Sequence, residues 1–189
     1  MYWRLGMIYL LRHGLDDEIF VGGHSNVGLV NEGVMQIEEV ARWCLKNKID
    51  IKKIYSSDIY RALESAYIVS KYLDIDVIPD ACFREQNKGI LNGMRKDYAK
   101  ELYYEYLYTD DINLVYPEGE SLMDLYLRIK ALLVDISKYE DALIVTHRGV
   151  INMIYYLLNG DHLDMDKGRY NVTHGSIHQL DIGKSKIRR

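Results

Sequence analysis

The sequence predicts an α/β fold with a mostly parallel sheet covered by helices on both faces, and three observations carry that prediction. Four short, β-branched runs, MIYLL (7–11), IKKIY (51–55), DIDVIP (74–79) and ALIVT (142–146), are bounded by polar residues, as strands are. Between them lie longer segments with apolar residues at helical spacing. No internal repeat or low-complexity linker interrupts the alternation, and Pro79 and Pro117 are the only prolines. Strands that alternate with helices call for a parallel sheet buried on both sides.

MIYLL comes first and ends at once in Arg12, His13 and Gly14. The first helix sets Val34, Ile37, Ala41, Cys44 and Leu45 on one face. IKKIY is the second strand, followed by Ser56, Ser57 and Asp58. A helix beginning near Asp58 then carries Ile59, Ala62, Ala66, Val69 and Leu73. DIDVIP is the third strand. In YAKELYYEYLYTDDINLVY (98–116) a helical stripe of Ala99, Leu102, Tyr103, Tyr106 and Leu107 is expected to face the core. Tyr98, Tyr104 and Tyr108 lie off that stripe. Ser121 and Asp124 make a capping-box-like start for a helix bearing Leu122, Leu125, Ile129, Leu132 and Ile136. ALIVT, the fourth strand, leads into a helix with Val150, Ile151, Ile154, Tyr155 and Leu158. THGSIHQLDI (173–182) reads as a last strand, with His174 and His178 structural or exposed, and KSKIRR as a solvated end.

Composition narrows the class. A chain of 189 residues can bury one substantial core, and a single domain over 1–189 is the economical reading. A net charge of −4 argues against a nucleic-acid-binding face. Cys44 and Cys82 are far apart in apolar surroundings, which suits reduced core thiols better than a disulfide framework or a CxxC metal site. The apolar stretch 7–11 is shorter than a signal-peptide core, and nothing reaches the length of a membrane span. A cytoplasmic protein with neither nucleic-acid nor membrane partner is expected.

In an open parallel sheet the ligand site lies beyond the carboxyl ends of the strands. Arg12 and His13 follow one strand, His147 follows another 134 residues away, and Ser56, Ser57 and Asp58 follow a third. A lone histidine is more often a satisfied structural residue. Two in equivalent positions, each followed within two residues by a glycine (Gly14, Gly149), point to a shared site, with the glycines allowing close approach to a ligand. Arg61 and Arg148 fall in first turns of helices, where a cation opposes the helix dipole by about 0.3–1 kcal/mol. A bound phosphate reverses that sign. The competing reading of both arginines is a snorkelling surface side chain.

Six ordered blocks now carry a resemblance. LLRHG resembles the signature of the histidine phosphatase superfamily in its phosphoglycerate-mutase-like branch. GLVNEGVMQ (28–36), SSDIYRALESA (56–66), FREQNKGILNG (83–93), PEGESLMDLYLRI (117–129) and VTHRGVI (145–151) are similar to the family's later motifs and follow in family order. The resemblance implies a three-layer α/β/α sandwich with a mostly parallel central sheet, over one domain with a Tyr-rich insertion at about 95–116.

It also implies a chemistry. A neutral imidazole suits attack on a phosphomonoester dianion, which repels an anionic nucleophile. His13 would take the phosphoryl group, with Arg12, Arg61 and His147 gripping its oxygens and stabilising the charge of the loose transition state. Glu85 would protonate the departing alkoxide and then deprotonate the incoming water. Arg148, His24, Tyr104 and Tyr108 would be available to the rest of the substrate. No HExxH or HxH pair appears, arginines would repel a cation beside the site, and no nucleotide-binding glycine motif is present. No metal and no cofactor are therefore expected. The partner is a small phosphorylated metabolite, with a homodimer left open.

Three functions fit this pattern: a metal-independent phosphatase, a phosphoglycerate-type mutase, and a phosphate-binding module without turnover. The chain is short for a mutase of this branch, and a non-catalytic clamp has no need of Glu85. Chain length and a short loop are similar to small members such as α-ribazole phosphatases. FREQNKGILNG nevertheless lacks their usual aromatic and acidic neighbours, and broad-specificity dephosphorylation is the alternative. The chain also departs from the family after RHG. Leu15, Asp16, Asp17 and Glu18 stand where an acidic residue, a hydroxyl residue and a phosphate-contacting asparagine are frequent. Carboxylates there are expected either to point outward or to meet a polar or cationic part of the substrate.

Overall fold

The computed structural model describes residues 7–166, 168–181 and 186–188. Six strands form one sheet: β1 (Met7–Arg12), β2 (Lys53–Ser56), β3 (Val77–Pro79), β4 (Ala142–Thr146), β5 (Ile177–Asp181) and β6 (Lys186–Arg188). Their spatial order is β3-β2-β4-β1-β5-β6. The first four run parallel, while β5 pairs antiparallel with β1 and β6 antiparallel with β5. The mostly parallel sheet is as expected. The described part of the basic tail keeps Lys186 and Arg188 exposed but pairs as a strand at the sheet edge, where Arg188 donates to Gln179 Oε1 at 2.8 Å. Residues 182–185 and 189 of the expected last strand and tail lie outside the described residues.

Helices α1 (Asn31–Lys46) and α2 (Tyr60–Leu73) cover one face; α5 (Leu122–Val134) and α6 (Arg148–Asn159) cover the other. Period-two side-chain alternation builds the three layers. Leu11 of β1 with Leu143 and Val145 of β4 pack among Ile37, Ala41, Ala62 and Val69. Ile8 and Leu10 with Ile144 face Leu125, Ile129, Ile151 and Ile154. These strands are buried on both sides, which is why they read as continuous apolar runs rather than alternating ones. Each such fully buried aliphatic side chain contributes about 1.5–3 kcal/mol.

Local signals account for the helix limits. Ser121 Oγ accepts from the Asp124 amide at 3.0 Å, and Asp124 Oδ2 accepts from the Ser121 amide at 2.9 Å, so the capping box forms. Gly160, at φ 71°, closes α6 in the left-handed conformation. α5 stops at Val134, and Ile136 keeps its buried place from a 3₁₀ turn over Ile136–Tyr139. α2 starts at Tyr60, close to Asp58 as expected, and the Asp58 carboxylate pairs with Arg84 instead of capping the helix.

The tyrosine-rich stretch splits into α3 (Lys96–Leu102) and α4 (Tyr104–Leu107). Ala99 is buried with Val21, Leu91 and Tyr116, and Tyr103, Tyr106 and Leu107 pack against that small cluster. Leu102 is 48% exposed, since the break at Tyr103 turns it off the stripe. Cys44 is buried but Cys82 is exposed in a 3₁₀ turn over Ala81–Phe83, so only one thiol is a core residue.

Candidate active site

Parallel register brings the strand ends together. Arg12 is level with Thr146 and Ser56 with Val145. The next residues, His13, His147 and Ser57, therefore emerge from one edge, with β4 in the middle. The His13 amide donates to Thr146 O at 3.0 Å and the Ser57 amide to Val145 O at 2.9 Å. The two imidazoles meet edge to face, with centroids 5.1 Å apart.

His13 is held in one tautomer. Its Nδ1 donates to Gly14 O at 2.8 Å, and its Nε2 accepts from Arg61 Nε at 3.1 Å, an assignment made from the hydrogen-bond network. Burial, reinforced by the Arg61 charge, pushes the ring well below the usual histidine range. It is therefore neutral near pH 7, with its Nε2 lone pair beside a guanidinium. Arg61 is buried in the first turn of α2, where Nη1 donates to Ser25 Oγ at 3.2 Å and Nη2 to Gly23 O at 2.9 Å. A buried arginine at that position is no snorkelling side chain. Arg12 Nη1 donates to Val172 O at 2.8 Å, and burial with the nearby Arg148 charge lowers Arg12 to about 10. His147 Nε2 lies 2.8 Å from Ser57 Oγ. Arg12 Nε and His147 Nδ1 are buried without a hydrogen-bond partner among the described residues, a cost of about 1–3 kcal/mol for each.

Glu85 lines the same cavity of about 180 Å³ as Arg12, His13, Arg61 and Arg148. Its Oε2 accepts from the Gly149 amide at 3.0 Å and its Oε1 from the Gln86 amide at 2.9 Å. Gly149 therefore admits the Glu85 carboxylate. Gly14 likewise makes room for protein, because a Cβ there would sit 2.3 Å from Gly33 O. Arg148 is exposed at the cavity mouth. His24 directs Nε2 to the Glu85 carbonyl at 2.9 Å and so braces that loop. Tyr104 and Tyr108 are not brought to the site. They stack on each other at the surface, centroids 4.6 Å apart, and do not line the cavity.

Some residues at the site were not legible as such. His174, expected to be structural or exposed, accepts from Arg12 Nη2 and lies 5.5 Å from the His13 ring. Asp16 Oδ2 is 3.4 Å from Arg61 Nε, and Asp16 Oδ1 is 3.6 Å from His174 Nε2. Asp17 turns back to accept from the Ile19 amide. Arg128 donates to the carbonyls of Cys82, Arg84 and Glu85 and to Glu120, holding the acid-bearing loop from α5. The charge departure after RHG was the available signal for Asp16; nothing local marks His174 or Arg128. Among the described residues one trio with metal-ligand chemistry lies together, His13, Asp16 and His174. Arg61 and Arg12 already donate to its two imidazoles, which disfavours a cation there.

A layered α/β sheet whose strand ends set one imidazole, two guanidiniums and a carboxyl group around one cavity, with His147 fully buried against the His13 ring, has the parts of a phosphoryl-handling enzyme. The chain belongs to the histidine phosphatase superfamily (branch 1), whose family model matches residues 8–188, and by class it is a phosphoric monoester hydrolase. It is 33% identical over 159 residues to phosphoglycerate mutase-like protein 4 of Arabidopsis thaliana, covering 78% of this chain and 69% of that one. Its fold resembles the α-ribazole phosphatase of Shigella flexneri (TM-score 0.82, 20% identity, 96% and 93% of the two chains). It also resembles a mycobacterial glucosyl-3-phosphoglycerate phosphatase (TM-score 0.76, 21% identity, 97% and 96%).

Proposed function

We propose that this protein is a metal-independent phosphatase that hydrolyses a small phosphomonoester through a phosphohistidine on His13. The observation that carries the reading is the neutral His13 ring with Nδ1 tied to Gly14 O and Nε2 aimed at Arg61. A phosphoryl group on that nitrogen would sit among Arg61, Arg12 and His147. Their donors would stabilise the equatorial oxygens as charge builds, and an oxyanion there would also answer the two unpartnered buried nitrogens. His13 Nε2 forms the N–P bond while the ester P–O bond breaks, and Glu85 gives its proton to the leaving oxygen. Glu85 then takes a proton from water, whose oxygen attacks phosphorus as the N–P bond breaks and phosphate leaves. His24, Arg128 and Gly149 keep Glu85 in place. Arg148 stands where a second anionic group of the substrate would lie.

Rapid quench with a labelled phosphomonoester tests this. The expected result is an acid-labile phosphoenzyme that turns over in seconds without added divalent cation and is absent from His13→Ala. A long-lived label that passes to an acceptor would make the protein a mutase, and no label at all a binding module.

A further inference from the structure

Asp16 presents a carboxylate to the seat that the proposed reaction needs for an anion. Its oxygens lie 3.4 Å from Arg61 Nε and 3.6 Å from His174 Nε2. One of them, a ring nitrogen of His13 and one of His174 lie within 4.8 Å of one another. The side chain is 14% exposed and lines the cavity. A phosphorus in near-attack position, about 3–3.5 Å from His13 Nε2, brings its oxygens within hydrogen-bonding reach of Asp16. Two full anions cannot share that distance without a proton between them.

We propose that Asp16 makes phosphate binding proton-linked: the site takes the phosphoryl group as a monoanion whose O–H donates to the Asp16 carboxylate. The inference rests on the functional reading above and adds the ionic form of the ligand. The balance is simple. Above the second pKa of the ligand, the dianion and one proton from solvent enter together, and both leave together. Near neutral pH the free Asp16 is ionised. Burial alone would raise its carboxyl, but the His174 ring and the nearby His13 and Arg61 outweigh burial and bring it to about 2. The groups that face it are Arg12 at the end of β1, His13 just after it, Arg61 from α2 and His174 from the segment before β5; Glu18 and Glu85 line the same cavity, and Glu64 of α2 is occupied by the Leu29 amide. Asp16 sits beside the Arg61 Nε that serves His13, so an incoming dianion meets both a competitor and a repulsive charge.

The test is calorimetric titration of inorganic phosphate into the purified protein, in two buffers of different ionisation enthalpy, well above the second pKa of phosphate. The wild type is expected to take up about one proton per phosphate, and its affinity to fall tenfold per pH unit. Asp16→Asn is expected to take up none and to bind with an affinity flat in pH. Asp16→Ser is expected to behave like Asp16→Asn. If neither variant folds, Glu85→Gln decides: one proton still taken up per phosphate supports the assignment to Asp16, and uptake lost with Glu85 overturns it. Phosphate binding without proton uptake, or uptake that persists in the variants, overturns this inference and leaves the phosphatase reading standing. A protein that binds no phosphate at any pH overturns both.

Discussion

The Glu85 carboxylate occupies the space that a side chain at Gly149 would need. The Gly149 amide donates to Glu85 Oε2 at 3.0 Å, and a Cβ added to Gly149 would sit 2.1 Å from Glu85 Oε1. The first turn of α6 thus both feeds a hydrogen bond to the carboxylate and leaves the space it occupies. Gly149→Ala must push Glu85 aside. A fall in kcat of about 10²–10⁴ is expected, the range for a displaced general acid, with KM little changed. Glu85→Gln should fall similarly, and the double variant should not lose the product of the two effects. Near-normal kcat in Gly149→Ala would remove Glu85 from the role given to it.

Arg61→Met tests the electrostatic half of the site. The Arg61 charge is the second cause, after burial, of the low His13 ring, so removing it should raise the His13 titration toward the usual histidine range. The acid limb of kcat/KM should then move to higher pH. The rate at its plateau should drop by about 10²–10³, as for loss of one preorganised donor to a developing oxyanion. Proton NMR of His13 together with a pH–rate profile reads both. An unmoved limb would mean that burial alone sets the ring.

The paired histidines also predict how stability responds to acid. His13 and His147 are both held below the ordinary value of 6.5 by burial and by Arg61. The unfolded chain therefore binds protons below pH 6.5 that the native protein does not, and stability declines as pH falls from 6.5 toward the native values. Each ring contributes a slope of up to about 1.4 kcal/mol per pH unit. Denaturant unfolding from pH 7 to 5 should show the decline, and His147→Asn should lose part of its slope. Constant stability over that window would contradict the buried neutral rings.

Tyr104 and Tyr108 lie away from the cavity, 62% and 51% exposed. Alanine at both positions should leave kcat/KM for a small generic phosphate ester unchanged and alter stability by about 0.5 kcal/mol or less per site. A large loss of turnover would show that this surface reaches the substrate after all.

Much of the architecture could be read locally. Apolar runs of five residues marked β1 and β4 because both faces of these strands are buried, and the Ser121–Asp124 pair marked the start of α5 because a capping box needs only neighbours. The break between α3 and α4 could not be read so, since Ala99 and Tyr106 answer to a small cluster with Val21 and Tyr116 that periodicity alone does not reveal. Cys82 looked like a core thiol among apolar neighbours, yet the 3₁₀ turn that carries it leaves it in solvent.

From the order of residues alone came the alternation of strands and helices, the strand-end placement of Arg12, His13 and His147, and the blocks that mark the superfamily. These depend on period, on adjacency and on polar punctuation, all properties of nearby positions. Tertiary structure alone decided that Asp16 and His174 gather beside His13, that Gly149 yields its space to Glu85, and that Arg128 secures the acid-bearing loop. Those relations depend on how loops return to the sheet edge and how closely two backbones approach, and no local pattern carries that information.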